Sequence, residues 1–582
     1  MLKLFRYLKN YKLQSVLGPL FKLTEACFEL IVPIVMAKII DVGIAEGDSG
    51  YIIAMGGVLV LLGVLGLAAS LTAQFFAARA SLGFGTELRR ELFAHINTLS
   101  HKEIDRLGAS TLVTRMTVDI NQAQTGVNML LRLFLRSPFI VIGAVIMAFT
   151  ISAKLTLIFL IASPLLALMI FLVMKLTVPL FRRIQAKLDK TTLSVSENLS
   201  GVRVIRAFSR QEDEEKQFRK NADDLLSLQI KAGRISALTN PCTYVIVYAA
   251  IIVIIWFGGV NVNIGGLTQG ELIALISYMN QILLALLAVA LLVTSMTRAQ
   301  ASSHRINEVF EVTSSVTDEG NSAVTPDSQA PAVAFDNVSF SYHDNEEYAL
   351  KNITFTAARG ETVGIIGGTG CGKTTLVSLI PRFYDVSSGE VRVSGANVRK
   401  YPFRQLRGGI GFVPQKAELF RGTVRENLRY RKRDASDAEI TEALDIAQAL
   451  SFVKEKPEGL DYKLNGGGKN LSGGQRQRLT IARALVGRPD ILILDDSASA
   501  LDLATDAALR RALAARTEGM TVFIVSQRVS SIRHADKIIV LDDGAVAGIG
   551  THEQLLASCG LYNEICLSQQ YSDSGKGAGA NG

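Results

Sequence analysis

The chain has 582 residues and a mass of 63.0 kDa, with 49% apolar residues, only 20% charged residues and a mean hydropathy of +0.29. That length predicts several domains at roughly 150 residues each, and the apolar excess excludes a disordered chain, a collagen-like repeat, a small disulfide scaffold and a single soluble domain. The net charge of +8 implies no nucleic-acid partner, because the basic residues sit beside hydrophobic runs as the positive-inside rule requires.

In chain order, Lys3, Arg6, Lys9 and Lys12 precede the first apolar run. The run continues to Ala37 without a small-residue cleavage site, so it reads as a retained helix rather than a signal peptide. Six spans are expected, at about 16–38, 52–78, 131–151, 155–178, 243–262 and 271–297, since uncharged runs above about 18 residues read as membrane helices. The first is the least clean, carrying Lys22, Glu25 and Glu29. Basic residues crowd the connections after the second and fourth spans, whereas 39–50 and 257–270 hold no Lys or Arg. Both termini are therefore expected in the cytosol of a multi-pass plasma-membrane protein.

The connections 79–130 and 179–242 are long, charged and rich in helix formers. Structureless loops of that size are uncommon, so the membrane helices are expected to continue into the cytosol. About 25 residues out and back, at ~1.5 Å per residue, would project about 40 Å. Five scattered cysteines, Cys27, Cys242, Cys371, Cys559 and Cys566, suit reduced thiols rather than a disulfide frame.

A Ser/Thr/Ala/Pro-rich linker, 313–331, separates a transmembrane domain over 1–312 from a second domain over 332–571, and 572–582 reads as a disordered tail. In the second domain, short β-branched runs alternate with helical segments, the pattern of a mostly parallel α/β sheet covered on both faces. Gly367-Gly368-Thr369-Gly370-Cys371-Gly372-Lys373-Thr374 fits the phosphate-loop pattern, with Thr375 following, and it lies between an apolar strand and a helix. Its glycines let backbone N–H groups converge on phosphate oxygens. Lys373 would pair with the β- and γ-phosphates and the Thr374 hydroxyl with Mg²⁺. Ile491–Leu494 ends on Asp495, a carboxylate at a strand tip suited to a second Mg²⁺ contact. Leu471-Ser472-Gly473-Gly474-Gln475 places Ser and two Gly at a helix start, a second anion-binding end. One nucleotide needs only one phosphate loop, so this second end is expected to serve the nucleotide of a neighbouring copy.

Together with Gln415 and the segment Ser499-Ala500-Leu501-Asp502, these motifs resemble an ATP-binding cassette (ABC) protein, and six spans ahead of the cassette resemble an exporter half-transporter. The resemblance implies ATP and Mg²⁺ as cofactors, with Mg²⁺ held by Thr374, Gln415 and Asp495. It implies that Tyr342 stacks on adenine, that Ser472–Gly474 close over ATP on the opposing cassette, and that Asp502 contacts the partner. The tips near Gly108–Asp119 and Ala207–Glu215 would be the coupling helices.

Two replacements modify that expectation. Where the family usually has a Glu general base, this chain has Asp496, and where it usually has a switch His, it has Gln527. One methylene fewer withdraws a carboxylate by roughly 1–1.5 Å, against a hydrogen-bond reach of about 2.6–3.2 Å for a general base. A Gln amide can hydrogen-bond but does not titrate as imidazole does. Gly466 and Gly467 also replace the family's usual acidic and basic pair ahead of Leu471.

The expected function is the degenerate-site half of a heterodimeric exporter, with a homodimer the lesser alternative. This half binds ATP, hydrolyses it slowly, and lends its signature segment to the partner's catalytic site. The expected cargo is a lipophilic drug or other amphipathic compound in the bilayer; lipid or peptide cargo, or a regulatory ATP-gated subunit, are the alternatives. Glu25 and Glu29 share a helix face and, with Trp256, are candidates for the substrate cavity. The competing reading neutralises the two carboxylates through Lys22 or other polar neighbours. Tyr244, Tyr248 and Tyr278 are further candidates for an aromatic lining, the alternative being packing or anchoring at the membrane interface.

Overall fold

The computed structural model describes residues 1–318, 323–342, 347–497, 500–516 and 518–577. Two compact units result. The first holds Met1–Asn97 and Gly108–Val312; the second holds Thr98–Leu107 and Thr313 onward.

The first unit is helical throughout. Among the described residues, five stretches are long and apolar enough to cross a membrane: Ser49–Ile96, Ala109–Ile151, Ala153–Ser200, Gln211–Asn263 and Gln269–Glu311. The helix Lys12–Lys38 covers the expected first span but is not among them, and it carries Lys12, Lys22, Glu25, Glu29 and Lys38. Ser49–Ile96 and Ala153–Ser200 are unbroken at 48 residues each. At ~1.5 Å per residue that is about 70 Å, well beyond the ~30 Å hydrocarbon core.

Small residues set the close approaches between helices. Gly126 lies so near Ala299 that an added Cβ would come within 2.2 Å of the Ala299 methyl. The Asp119 carboxylate accepts hydrogen bonds from Arg305 and from Arg115. The second of these stretches, Ala109–Ile151, is interrupted between Leu133 and Arg136. Pro138 supplies the cause, because its ring opposes the Phe134 carbonyl four residues back and it has no N–H to offer.

The second unit is an α/β body with a four-stranded antiparallel sheet beside it. Its six-stranded sheet runs Ala545–Gly550, Lys537–Asp542, Thr362–Gly367, Thr521–Val525, Ile491–Asp495, Ile410–Val413. All neighbours are parallel except the Ala545–Gly550 edge. The central strands are buried along their length, as a sheet covered on both faces requires. This strand order sets the site. The strand that enters the phosphate loop pairs with Thr521–Val525, which pairs with Ile491–Asp495 in a register opposing Val525 to Asp495. Three chemically distinct loops therefore leave adjacent strands at the same sheet edge. The linker is fastened to this body: Val324 N–H donates to Gln405 Oε1 at 3.0 Å, and Gln405 Nε2 donates back to the Val324 carbonyl at 2.5 Å. The C-terminal helix spans Gly560–Gly577 and so runs into the segment expected as a tail; residues 578–582 lie outside the described residues.

Candidate functional site

The phosphate loop begins where strand Thr362–Gly367 ends. Gly370 and Gly372 take φ of +84° and +94°, a backbone that side-chain-bearing residues rarely adopt. A Cβ on Gly372 would also fall 2.7 Å from the Ala349 carbonyl oxygen. Lys373 is buried, and its ammonium donates to the carbonyls of Gly367 at 2.9 Å and Gly368 at 2.5 Å, closing the loop on itself. The Cys371 thiol lies 3.5 Å from the same ammonium and is buried.

Thr374 Oγ1 donates to Asp495 Oδ1 at 2.9 Å, which joins two of the three expected Mg²⁺ contacts. Asp495 is 2% exposed, and burial, reinforced by the Asp496 charge, pushes its pKa up to about 6. A buried carboxylate left protonation-prone by its surroundings is stabilised in its charged form by an incoming cation. Among the described residues no cluster of three His, Cys, Asp or Glu side chains forms. The donor set is thus a hydroxyl and a carboxylate with an amide nearby, oxygen chemistry that fits Mg²⁺ shared with nucleotide phosphates rather than caged by protein alone.

Asp496 follows in the left-handed region at φ +43°, its N–H bonded to the Val525 carbonyl at 3.0 Å. Its Oδ2 accepts from two side-chain amides, Gln415 Nε2 at 3.3 Å and Gln527 Nε2 at 3.4 Å. Burial raises its proton affinity, while the Gln415 bond opposes that rise. The structure thus brings Gln415, Asp496 and Gln527 together.

Tyr342 is partly exposed, and its hydroxyl shares a hydrogen bond with Thr375 Oγ1 at 2.8 Å. Ser472 caps the helix Gly473–Leu485: its hydroxyl accepts from Gln475 N–H at 3.3 Å, while Gln475 Oε1 accepts from Ser472 N–H at 3.1 Å. Leu471 is buried beneath, whereas Ser472 and Gly473 are exposed. Among the described residues no hydrogen bond, ion pair or ring contact joins Ser472–Gln475 to residues 367–375. Asp502 caps the next helix, accepting from Thr505 N–H at 2.8 Å and Thr505 Oγ1 at 2.9 Å. Leu501 is buried and Ala500 exposed, while Ser499 lies outside the described residues.

In the membrane unit the two candidate carboxylates are neutralised. Glu25 pairs with buried Lys22, which also donates to Ser70 Oγ at 3.1 Å. Glu29 accepts from Arg136 Nη2 at 2.7 and 2.8 Å, beside the interruption of Ala109–Ile151. Tyr278 is fully buried, its hydroxyl donating to the Leu30 carbonyl at 2.7 Å, so it is part of the helical core. Trp256 is 72% exposed on its helix, and Tyr244 stacks on Tyr248 with both exposed.

The expected first coupling tip, Gly108–Asp119, lies in the membrane unit. Ala109–Asp119 groups with the membrane helices, whereas the preceding helix His101–Leu107 groups with the cassette. Gly108, at φ +78°, separates the two. The second expected tip, Ala207–Glu215, also lies in the membrane unit, running from the end of the short helix Val202–Ala207 into the start of the helix Gln211–Ala237. Sequence reasoning missed Gln569, whose Nε2 donates to the Gln527 carbonyl at 2.7 Å while its Oε1 accepts from Val529 N–H at 2.9 Å. No local motif marks that contact, because it comes from the C-terminal helix.

Two family descriptions match the chain: "ABC transporter transmembrane region" over 16–286 and "ABC transporter" over 350–499. An uncharacterised ABC transporter ATP-binding protein of Mycobacterium tuberculosis is 38% identical over 99% of both chains. A probable multidrug resistance ABC transporter ATP-binding/permease protein of Bacillus subtilis is 36% identical over 85% of this chain and 84% of its own. An ATP-dependent lipid A-core flippase of Chromobacterium violaceum is 32% identical over 98% and 97%. The solved structure of a bacterial Atm1-family ABC exporter with ATP bound shares the fold, with a TM-score of 0.79 at 24% identity over 96% and 98% of the two chains. The chain belongs to the ABC transporter family, as a multi-pass membrane exporter subunit in which a transmembrane domain precedes a cytosolic ATP-binding cassette.

Proposed function

We propose that this chain is the slowly hydrolysing half of a heterodimeric ATP-driven exporter with six spans, Lys12–Lys38 supplying the first. Tyr342 takes the adenine face, Lys373 and the loop 367–375 hold the phosphates, and Thr374, Asp495 and Gln415 provide oxygen ligands for Mg²⁺. Held there, Mg²⁺ would supply electrostatic stabilisation of the charge that develops on the phosphoryl group.

One observation carries the reading of slow hydrolysis: Asp496 Oδ2 is tied to both Gln415 and Gln527. A general base must reach the attacking water or its relay. Here the shorter carboxylate is already engaged by two amides, and neither amide can take up a proton at neutral pH. The exposed Ser472–Gly474 helix start is free of such compromise, and it completes the catalytic site of the partner half. ATP binding two facing cassettes better when they are closed shifts the spans between access states, and hydrolysis in the partner's site resets them.

The relatives named for multidrug resistance and for lipid A-core flipping share an amphipathic type of cargo, and the same class is assigned here. Because Glu29 is neutralised by Arg136, a free carboxylate awaiting a lipophilic cation is not part of the reading. The test compares the purified chain alone with the chain joined to a second half-transporter in vesicles. Uphill, ATP-dependent flux and fast hydrolysis are expected only from the pair. Fast hydrolysis by this chain alone refutes slow hydrolysis, and downhill flux from the pair identifies a gate instead of a pump.

A further inference from the structure

The helix His101–Leu107 meets the cassette through aromatic rings. His101 stacks on Phe383 with centroids 4.5 Å apart, and the Tyr384 hydroxyl donates to Asp105 Oδ2 at 3.1 Å. Tyr384 also meets Tyr342 edge-on, at 5.4 Å and 84°. Phe340 braces both rings, at 4.9 Å from Tyr342 and 5.5 Å from Tyr384. Phe383 in turn packs edge-on against Phe412 at 5.2 Å, on the strand that leads to Gln415. Tyr384 therefore touches the tip helix His101–Leu107 on one side and the proposed adenine-facing ring on the other, while Phe383 joins that helix to Phe412.

Edge-to-face aromatic pairs have a preferred orientation, so turning one ring biases the next. The Tyr384 hydroxyl is a donor whose proton is firmly held, since burial and the neighbouring Asp105 charge both push its pKa up. A neutral phenol donating to a carboxylate is a charge-assisted hydrogen bond, stronger than one between neutral groups. The bond fixes the Tyr384 ring from the tip-helix side, while Phe340 leaves little room for Tyr342 to turn independently.

We propose that Tyr384 is a positioning residue: held by Asp105, it orients Tyr342, so that base binding at this cassette and the seating of the tip helix are linked through one side chain. This rests on the reading that Tyr342 takes the adenine face. The link is reciprocal. Whatever factor the Asp105–Tyr384 contact adds to base affinity, a bound base adds to the stability of that contact. Coupling between sites typically runs from about 5-fold to 150-fold, and a single hydrogen bond belongs at the low end, about 5-fold. A cassette that retains ATP through this route would report its occupancy to the membrane helices without cleaving it.

The experiment uses the full chain in nanodiscs, with its partner half, and titrates ATP and inorganic tripolyphosphate. Both engage the phosphate loop, but only ATP carries a base. Tyr342→Leu, Tyr384→Phe and Asp105→Asn are each expected to weaken ATP, the latter two by about 5-fold, with tripolyphosphate changed less than about 2-fold. The double variant Tyr384→Phe/Asp105→Asn should be no weaker than either single change, the mark of one shared contact. Hydrogen exchange over 101–107 should slow on adding ATP and not on adding tripolyphosphate, and Tyr384→Phe should abolish that difference. Equal losses for the two ligands would mean general damage and overturn the proposal. ATP affinity untouched by Tyr384→Phe and Asp105→Asn, alongside a loss in Tyr342→Leu, overturns the proposal alone. ATP affinity untouched by Tyr342→Leu overturns the adenine reading and the proposal with it.

Discussion

If the proposed reading of slow hydrolysis holds, lengthening the carboxylate at position 496 should speed ATP hydrolysis at this cassette. The perturbation is Asp496→Glu combined with Gln527→His. The first change adds a methylene and returns about 1–1.5 Å of reach. The second replaces an amide that holds Asp496 Oδ2 at 3.4 Å with a ring that can titrate. General-base catalysis contributes about 10²- to 10⁴-fold, or roughly 3–5 kcal/mol in barrier height. Gln415, which engages the Asp496 carboxylate at 3.3 Å, stays in place, and position 496 stays on a left-handed backbone, at φ +43° in the unmodified chain, so recovery should fall short of the full factor, at about 10- to 100-fold. The assay is phosphate release from the purified chain alone in nanodiscs, where this chain's own Ser472–Gln475 segment completes each site. Either single change should recover less than the pair, because base and switch act as a unit. The reasoning is refuted if the unmodified chain already turns over as fast as the double variant.

Three further outcomes follow from the same coordinates. Asp495 has its pKa raised from 3.8 to about 6, mainly by burial, so the folded chain binds this proton more tightly than the unfolded one. Stability without nucleotide should therefore fall as pH rises from about 4 to about 6, and Asp495→Asn should recover at most about 3 kcal/mol near pH 7 in a thermal melt, with no gain below pH 4. A bulky maleimide on Cys371, whose thiol lies 3.5 Å from the Lys373 ammonium, should abolish ATP binding in a fluorescence titration, and ATP added first should slow the labelling. Glu29→Gln should lower the melting temperature by leaving Arg136 without its counter-charge. Because Glu29 is 40% exposed, the loss should be about 1–2 kcal/mol, below that of a fully buried pair, and Glu29→Gln/Arg136→Gln should recover part of it.

The nucleotide site was largely legible because its chemistry is local. A glycine-rich loop, a strand-end carboxylate and a capped helix start each occupy a few consecutive residues, and the parallel register brings Gly367, Asp495 and Gln527 to one sheet edge. What the replacements would do together was less legible. That Gln415 and Gln527 share one oxygen of Asp496 depends on three strands meeting, and no spacing along the chain encodes it. The membrane unit shows the opposite limit. The i, i+4 spacing of Glu25 and Glu29 placed them on one face, but their partners lie three residues back, at Lys22, and on another helix, at Arg136. That 101–107 groups with the cassette and 109–119 with the membrane helices was not legible either, because both are short and only their contacts separate them. Tyr384 and Gln569 carried no motif at all.

The unbroken 48-residue helices have a mechanical corollary. A rod of that length, stiff along its backbone hydrogen bonds, acts as a lever with about 40 Å lying beyond the bilayer. A tilt of only about 10° within the membrane sweeps its far end through roughly 7 Å, more than one helical turn of 5.4 Å. Amplification works in reverse as well, so a shift of an ångström or two where the rod ends becomes a tilt of a few degrees among the spans. Motion that size is enough to exchange one set of side-chain contacts for another without unfolding any helix.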